Sequence, residues 1–526
     1  MGAFAGLLVL GGGGYLTVVS QDADAIPVIP GDAAPRPVFK PKEYQEPQDP
    51  AWPNAPGADL GPSDSDPLLK APQIPTEEQR PGTADEMNLL RTVKEPFNLT
   101  TLPWNRRYVS ASVITSFPNE TSGGVCMDKR TNPPRPHPVA AAHCGQMMWN
   151  NYRLTNDPAW LTKAKLQARW LINFKQVYSG AWFYPYLWDH TLPASSTKPT
   201  VVLKKPWYSA MAQGESLSLF VRLYETTKQA EFKQAADMTL NSLIIAPKAG
   251  KPWATWTWYD YMWFEETTFT SATGDRILNG HMFAAFGVYD YWVLTQDRRA
   301  RELLKASLAT ALTYGGRLRN VNWRSYYDDY RRGDSRGYHF THTSQLRYLA
   351  EMTGDQRFNR AALMLWLDYP EEITNNAMYI AKGTVATYKL VNGKPVFHKN
   401  VAVPSNQLTV MSWRGRVKGY SGFYQLAGAG VLKGLYVQQK AFTAYVNKPS
   451  DLFVFRIPFK PTTKAASVKY RTFDKDGNAG ATITAEPGTG EPVQIGMYGV
   501  IKGTQYYQVF GGEYDGMWVA GSELNI

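Results

Sequence analysis

Between about residues 138 and 370, apolar side chains recur at helical spacing. Leu161, Ala164, Ala168 and Leu171 fall at i, i+3, i+7 and i+10, and Leu217, Phe220, Val221 and Tyr224 at i, i+3, i+4 and i+7. Leu278, Met282, Ala285, Tyr289 and Trp292 mark a third stripe. Each set lies on one face of a helix. A short punctuation separates the stripes: Thr155-Asn156-Asp157, Thr295-Gln296-Asp297 and Thr353-Gly354-Asp355, with Thr226-Thr227-Lys228 as a degenerate copy. An Asp there accepts backbone N–H bonds at the next helix start, and Pro158 suits the first helical position.

Helices joined by such short turns form antiparallel pairs, which stack into a solenoid or close into a ring. Two connections, 175–207 and 247–274, are too long for simple turns and are rich in aromatic and polar residues: Trp182, Tyr184, Tyr186, Trp188, Asp189 and His190 in one, Trp256, Trp258, Tyr259, Trp263, Glu265 and Glu266 in the other. Long loops in compact domains are usually functional. The expectation is an α/α toroid, an incomplete barrel of helix hairpins, with a cleft lined by these loops.

From about 380 the period changes to two. Val468, Tyr470 and Thr472 alternate with Lys469, Arg471 and Phe473, and further runs cover 441–447, 451–459, 481–485, 493–499, 505–511 and 516–520. Turn residues separate them, so a C-terminal β-sandwich is expected. Asp474, Asp476 and Asn478 have calcium-loop spacing but lack the sixth-position Gly and closing Glu, and are read as a hairpin turn. The domain reading is therefore a hydrophobic signal or anchor over 1–20, a proline-rich tether over 21–95, a toroid over 96–375 and a β-sandwich over 376–526.

Charge sharpens that division. Residues 21–95 hold 14 of the 36 prolines and 7 Lys/Arg against 14 Asp/Glu, a charge of −7, so with a net charge of +11 residues 96–526 carry +18. A segment so poor in apolar surface does not order itself, whereas a basic body attracts acidic polymers. No nucleic-acid motif accompanies the charge. Residues 3–19 are apolar and uncharged, as in a secretory h-region or membrane anchor, so the chain is expected outside the cytoplasm. Cys126 and Cys144 either close one disulfide or remain separate thiols; sequence alone leaves both open.

Six stretches carry a resemblance. Trp207-Tyr208-Ser209-Ala210-Met211-Ala212-Gln213-Gly214-Glu215 opens them, followed by Trp263-Phe264-Glu265-Glu266, Ile277-Leu278-Asn279-Gly280-His281-Met282-Phe283, Gly287-Val288-Tyr289-Asp290, Tyr327-Asp328 and Tyr338-His339-Phe340-Thr341-His342-Thr343-Ser344-Gln345-Leu346. In this order they resemble the motifs of the D-glucuronyl C5-epimerases, within the helical region only.

The resemblance implies removal of the proton at C5 of a polymer-linked uronate and its return to the opposite face, without a redox cofactor. That chemistry needs acid/base groups on both faces and neutralisation of the substrate carboxylate as enolate charge develops. Tyr338 and Tyr327 are the implied acid/base residues, with Glu266 tuning or replacing one, and nearby cations are expected to lower the phenol pKa. Trp207, Tyr208, Gln213, Glu265, Asn279, Arg331, Arg336, His339 and His342 are the implied substrate-binding residues, and the implied partner is an anionic, uronate-containing polysaccharide. The His339-x-x-His342 pair lacks a third ligand, so no metal is assigned. Two positions depart from the family pattern: Thr267 stands where a Tyr is usual, and Tyr330 where an Arg is. Three other readings stay open: a polysaccharide lyase, a glycosidase using two carboxylates such as Glu266 and Asp328, and a non-catalytic glycan-binding protein.

Overall fold

The computed structural model describes residues 92–526, apart from 95, 109–111, 193, 196–197, 249, 259, 269–273, 371–377, 381–382, 405–406, 412–416, 421–422, 428–429, 439–440, 444–449, 475–476 and 502–503. The expected anchor and nearly all of the expected tether lie outside these residues. No helix among the described residues is long and apolar enough to cross a membrane.

Eight α-helices occupy the described residues: α1 (Pro138–Thr155), α2 (Pro158–Phe174), α3 (Ala210–Thr227), α4 (Ala230–Ser242), α5 (Leu278–Thr295), α6 (Arg298–Arg317), α7 (Arg336–Thr353) and α8 (Gln356–Asp368). The Thr-x-Asp punctuation builds the turns between them. Thr155 Oγ1 donates to the Asn151 carbonyl at 2.8 Å and accepts the Asp157 N–H at 3.2 Å, while Asp157 accepts the Ala159 N–H at 2.9 Å. The middle residue, Asn156, takes a left-handed φ of 56°. Thr295 and Thr353 make the same pair of bonds, around Gln296 at φ 55° and Gly354 at φ 72°. The degenerate copy sits one residue later than expected, at Thr227-Lys228-Gln229. Lys228 is the left-handed residue, and Thr227 carries the hydroxyl that bonds Leu223 and Gln229. Lys228 was aligned with Asp in the sequence pattern, but backbone conformation sets the register.

The chain divides into two compact units. The first contains described residues 92–318 and 326–345; the second contains 319–325 and 346–526. This partition does not coincide with the 375/376 boundary expected from the change of period, because it falls inside α7.

In the first unit α1, α3 and α5 pack successively against one another, and α2, α4 and α6 each lie on the helix before them. The α3–α5 seam explains two motif glycines. A Cβ on Gly214 would stand 2.3 Å from the Ala284 Cα, and one on Gly287 would stand 2.0 Å from the Gly214 carbonyl oxygen. Only hydrogen side chains permit this approach. Inside the same seam, Asp290 accepts from Ser218 Oγ at 2.6 Å and pairs with Arg107 at 3.2 Å and Arg222 at 3.4 Å. Cys126 and Cys144 form a disulfide with Cα atoms 6.4 Å apart, tying the preceding segment to α1.

The two long connections are folded as hairpins rather than loops. They pair β1 (Gln176–Tyr178) with β2 (Ala181–Phe183), β3 (His190–Leu192) with β4 (Val201–Leu203), and β5 (Thr255–Trp258) with β6 (Tyr261–Phe264). Ser179 at φ 50° and Gly180 at φ 74° make the tight turn of the first hairpin, where two positive φ values match the strand twist.

The second unit holds α8 and, besides the two-stranded pair of Thr462–Thr463 with Leu524–Asn525, two larger antiparallel sheets, one of seven strands within 378–443 and one of six strands within 450–520. Ile380, Val385, Val403, Leu426, Leu432 and Val437 form the core of the seven-stranded sheet. α8 packs on the first strand of the six-stranded sheet, with Trp366 5.6 Å from Phe453 and Asn359 Nδ2 donating to the Ile457 carbonyl at 3.3 Å. This packing explains why α8 groups with the strands. Asp474 accepts the Asn478 N–H at 2.8 Å within the hairpin turn.

Candidate functional site

A cleft in the first unit is lined by His137, Val139, Tyr186, Trp207, Ser209, Met211 and Glu266. His137 caps α1, its Nδ1 accepting the Ala140 N–H at 3.2 Å, just before Pro138 begins the helix. Burial pushes its imidazole down to about 4, so it is neutral near pH 7. Tyr186 and Trp207 meet through a backbone bridge, and their rings stack with centroids 4.0 Å apart and planes 10° apart. Trp207 Nε1 also donates to the Trp188 carbonyl at 2.9 Å. Arg135 lies over the Trp188 ring at 4.1 Å and shares the buried Asp128 carboxylate with Arg130. Both guanidiniums thus meet at Asp128, with that of Arg135 against the aromatic group.

Glu266 lies two residues past the end of β6. It is 2% exposed, and its Oε1 accepts the Tyr327 hydroxyl at 3.0 Å. Asn279 Nδ2, on the first turn of α5, reaches Oε2 at 3.5 Å. Gly280 is required beside it, since a Cβ there would stand 2.2 Å from Oε2. Burial, helped by the charges of Asp275, Asp328 and Glu265, pushes Glu266 up to about 8, against the hydrogen bond from Tyr327. Among the described residues Glu266 has no ion pair.

Tyr338, in the first turn of α7, lies with its ring 4.3 Å from Tyr327. The cation-lowered phenols expected from the sequence are not found. Burial, followed by the charge of Glu266, raises both Tyr327 and Tyr338 well above the ordinary phenol value. The arginines adjacent in sequence are directed elsewhere: Arg331 is buried against Asp275 at 3.3 Å and the Pro199 carbonyl at 3.1 Å, and Arg332 pairs with Asp329 at 3.5 Å. Arg336 is half-buried, its guanidinium 5.6 Å from the Phe340 ring.

The other sequence-predicted residues separate into those at the cleft and those behind it. Trp207 lines it. Gln213 is fully buried and spans Trp182, Ser242 and Tyr184 at 2.7, 2.5 and 3.0 Å, holding β2 onto α3. Tyr208 bonds Gln176 through its hydroxyl. Glu265 is fully buried, accepts the Arg276 N–H at 3.0 Å and is also pushed up by burial to about 8. Thr267 is fully buried, and its hydroxyl donates to Asp275 at 3.1 Å. His339 and His342 are buried inside α7, and burial lowers His342 to about 3. Asp328 accepts the N–H groups of Arg331 and Arg332 and so serves the turn. Burial, then Asp275, raises it to about 7. Sequence reasoning missed His137 as a lining residue and placed Tyr186 only among the aromatic residues of a connection expected to line the cleft. Their signals were a His-Pro pair at a helix start and a Tyr-Pro-Tyr run in a long connection.

A family model described as the D-glucuronyl C5-epimerase C-terminus matches residues 185–366. The chain resembles the glucuronyl C5-epimerases. A D-glucuronyl C5-epimerase of Caenorhabditis elegans is 27% identical over 123 residues, covering 23% of this chain and 18% of that protein. The chain thus spans less than a fifth of the length of this curated relative. Among solved structures, a family 76 glycoside hydrolase α-mannanase of Bacteroides thetaiotaomicron aligns with a TM-score of 0.32 and 11% identity, over 45% of this chain and 58% of that one. A cellobiose 2-epimerase of Bacillus thermoamylovorans aligns with a TM-score of 0.32 and 10% identity, over 52% and 67%. The epimerase match contains Tyr186, Trp207, Ser209, Glu266, Tyr327 and Tyr338. His137, Arg130 and Arg135 lie outside it.

Proposed function

We propose that this protein is a carbohydrate epimerase that inverts C5 of uronate residues in an extracellular anionic polysaccharide. The observation that carries the reading is Glu266: a buried carboxylate without a cationic partner, bonded to a phenol, open to an aromatic-lined cleft and inside the span that resembles the epimerases. A general base works best with a pKa near the working pH, and a carboxyl at about 8 meets that condition. In this reading Glu266 takes the C5 proton, Tyr327 holds and relays it, and Tyr338 supports Tyr327. Arg130 and Arg135 supply positive charge for the uronate carboxylate, and Trp207 a face for the sugar ring. The helix hairpins belong to an α/α toroid and the two sheets to a β-sandwich. The Cys126–Cys144 disulfide supports a location outside the cytoplasm, since such bonds persist in oxidising compartments.

The test is incubation with a panel of uronate polymers in D2O, read by NMR. Deuterium at C5 with the chain intact is the expected result. An unsaturated product absorbing in the ultraviolet would make the protein a lyase, and new reducing ends would make it a hydrolase. Binding without any change in the polymer would leave a glycan-binding protein.

A further inference from the structure

Inversion needs a second acid/base group, on the face of the sugar away from Glu266. The resemblance would draw a phenol from position 267, but this chain has Thr267 there, buried and bonded to Asp275. Another phenol stands in the cleft. Tyr186 comes from the connection between β2 and β3, lines the cleft together with Glu266, and is fixed flat against Trp207 and edge-on to His137 at 5.3 Å. It faces the start of α1; burial, then the Glu266 charge, raises its phenol well above the ordinary value, and the Val139 N–H offsets only part of that rise. Ser209, a neighbouring lining residue, is 2% exposed, and its hydroxyl stands beside the Tyr186 phenol, where it favours the ionised form.

We propose that Tyr186 is the acid/base residue for the C5 face opposite Glu266, supplying from a different element the phenol that position 267 lacks. The inference rests on the epimerase reading of the site. Starting from the epimer whose C5–H faces Glu266, the carboxylate takes the proton and the C–H electron pair moves into the enolate of the uronate carboxylate. C5 then takes a proton from Tyr186 Oη on the other face. Water returns a proton to the Tyr186 phenolate, and Glu266 releases its own to solvent. An enolate carbon is a far stronger base than a phenolate, so Tyr186 donates even with its acidity suppressed. The reverse direction requires the phenolate first, which burial makes scarce at neutral pH and which the Val139 N–H only partly favours.

The experiment compares wild type and Tyr186→Phe in D2O on pure-epimer oligosaccharides of two series, glucuronate/iduronate and mannuronate/guluronate, with thermal unfolding measured alongside. Loss of a general acid/base group costs on the order of 100- to 10,000-fold, so inversion falls by that factor in both directions. One epimer, with its C5–H toward Glu266, still acquires deuterium without inverting; the other acquires none. That asymmetry also proves the variant's site intact. Inversion by Tyr186→Phe within threefold of wild type overturns the inference, and so does an equal loss of exchange from both epimers. If Tyr186→Phe unfolds, 3-fluorotyrosine at 186 replaces it. Its more acidic phenol shifts the pH profile of the reverse direction downward, and an unshifted profile overturns the inference. A folded wild type inert toward every oligosaccharide removes the epimerase reading and this inference together. An active wild type with an active Tyr186→Phe removes only the inference.

Discussion

Among the motif carboxylates buried in the first unit, Asp290 and Glu266 have surroundings that differ in the way that matters. Asp290, in the α3–α5 seam, has two arginines and a serine hydroxyl on its oxygens. Glu266, at the cleft, has a phenol, a distant amide and three neighbouring acids, and burial drives it up to about 8. A buried charge that is fully compensated belongs to the structure, whereas one left costly is a candidate for chemistry. Both lie in stretches that resemble the same family, so motif matching alone does not separate them.

Replacing each carboxylate in turn should give opposite outcomes. Glu266→Gln is expected to lower C5 exchange by about 100- to 10,000-fold. It should not destabilise the fold, because it removes a carboxyl that folding makes harder to ionise. With the folded value at about 8 and the ordinary value at 4.5, the penalty is absent below pH 4.5 and grows as pH rises to 8. Wild type should therefore lose stability across that window faster than Glu266→Gln, by at most about 1.4 kcal/mol per pH unit. Urea unfolding at pH 5 and pH 8 checks this.

Asp290→Ala is expected to do the reverse. Stranding Arg107 and Arg222 in the seam should cost about 3–5 kcal/mol, read by chemical denaturation, while the fraction still folded keeps its exchange rate. Gly214→Ala drives a methyl into the Ala284 backbone and should cost about 1–3 kcal/mol or more. Gly280→Ala is the finest cut. Its methyl meets the Glu266 carboxylate rather than backbone, so exchange should fall by a larger factor than the unfolding equilibrium changes. An equal change in both would place Gly280 with the seam.

The helix hairpins were legible because their apolar stripes and Thr-x-Asp turns are local patterns. The degenerate turn slipped by one residue because Lys228 adopts a left-handed backbone that the letters do not announce. The three hairpins of the long connections have strands of three or four residues, too short for alternation to be read. One strong signal was passed over. Asn392-Gly393, with both φ values positive, turns the strand at 383–391 back into that at 394–403, and the expected strand runs omitted this hairpin. At the site, Glu266, Tyr327 and Tyr338 were named from sequence and do come together. Arg331 and Arg336, near Tyr327 and Tyr338 in the chain, are expected from the resemblance to bind the substrate, yet Arg331 turns inward to Asp275. Tyr186 was expected only as one aromatic of a cleft-lining connection, because nothing in the residues around it singles out one phenol from its neighbours.

The contrast between Glu266 and Asp290 meets its most direct test in the pH dependence of C5 exchange by the wild-type protein, on whichever uronate polymer it exchanges fastest. If the uncompensated Glu266 carboxylate is the base, exchange is slow at pH 6, rises as the carboxylate forms and levels off through an inflection near 8. A rate that is flat from pH 6 to 9, or one that completes its rise near the ordinary carboxylate value of 4.5, contradicts that account.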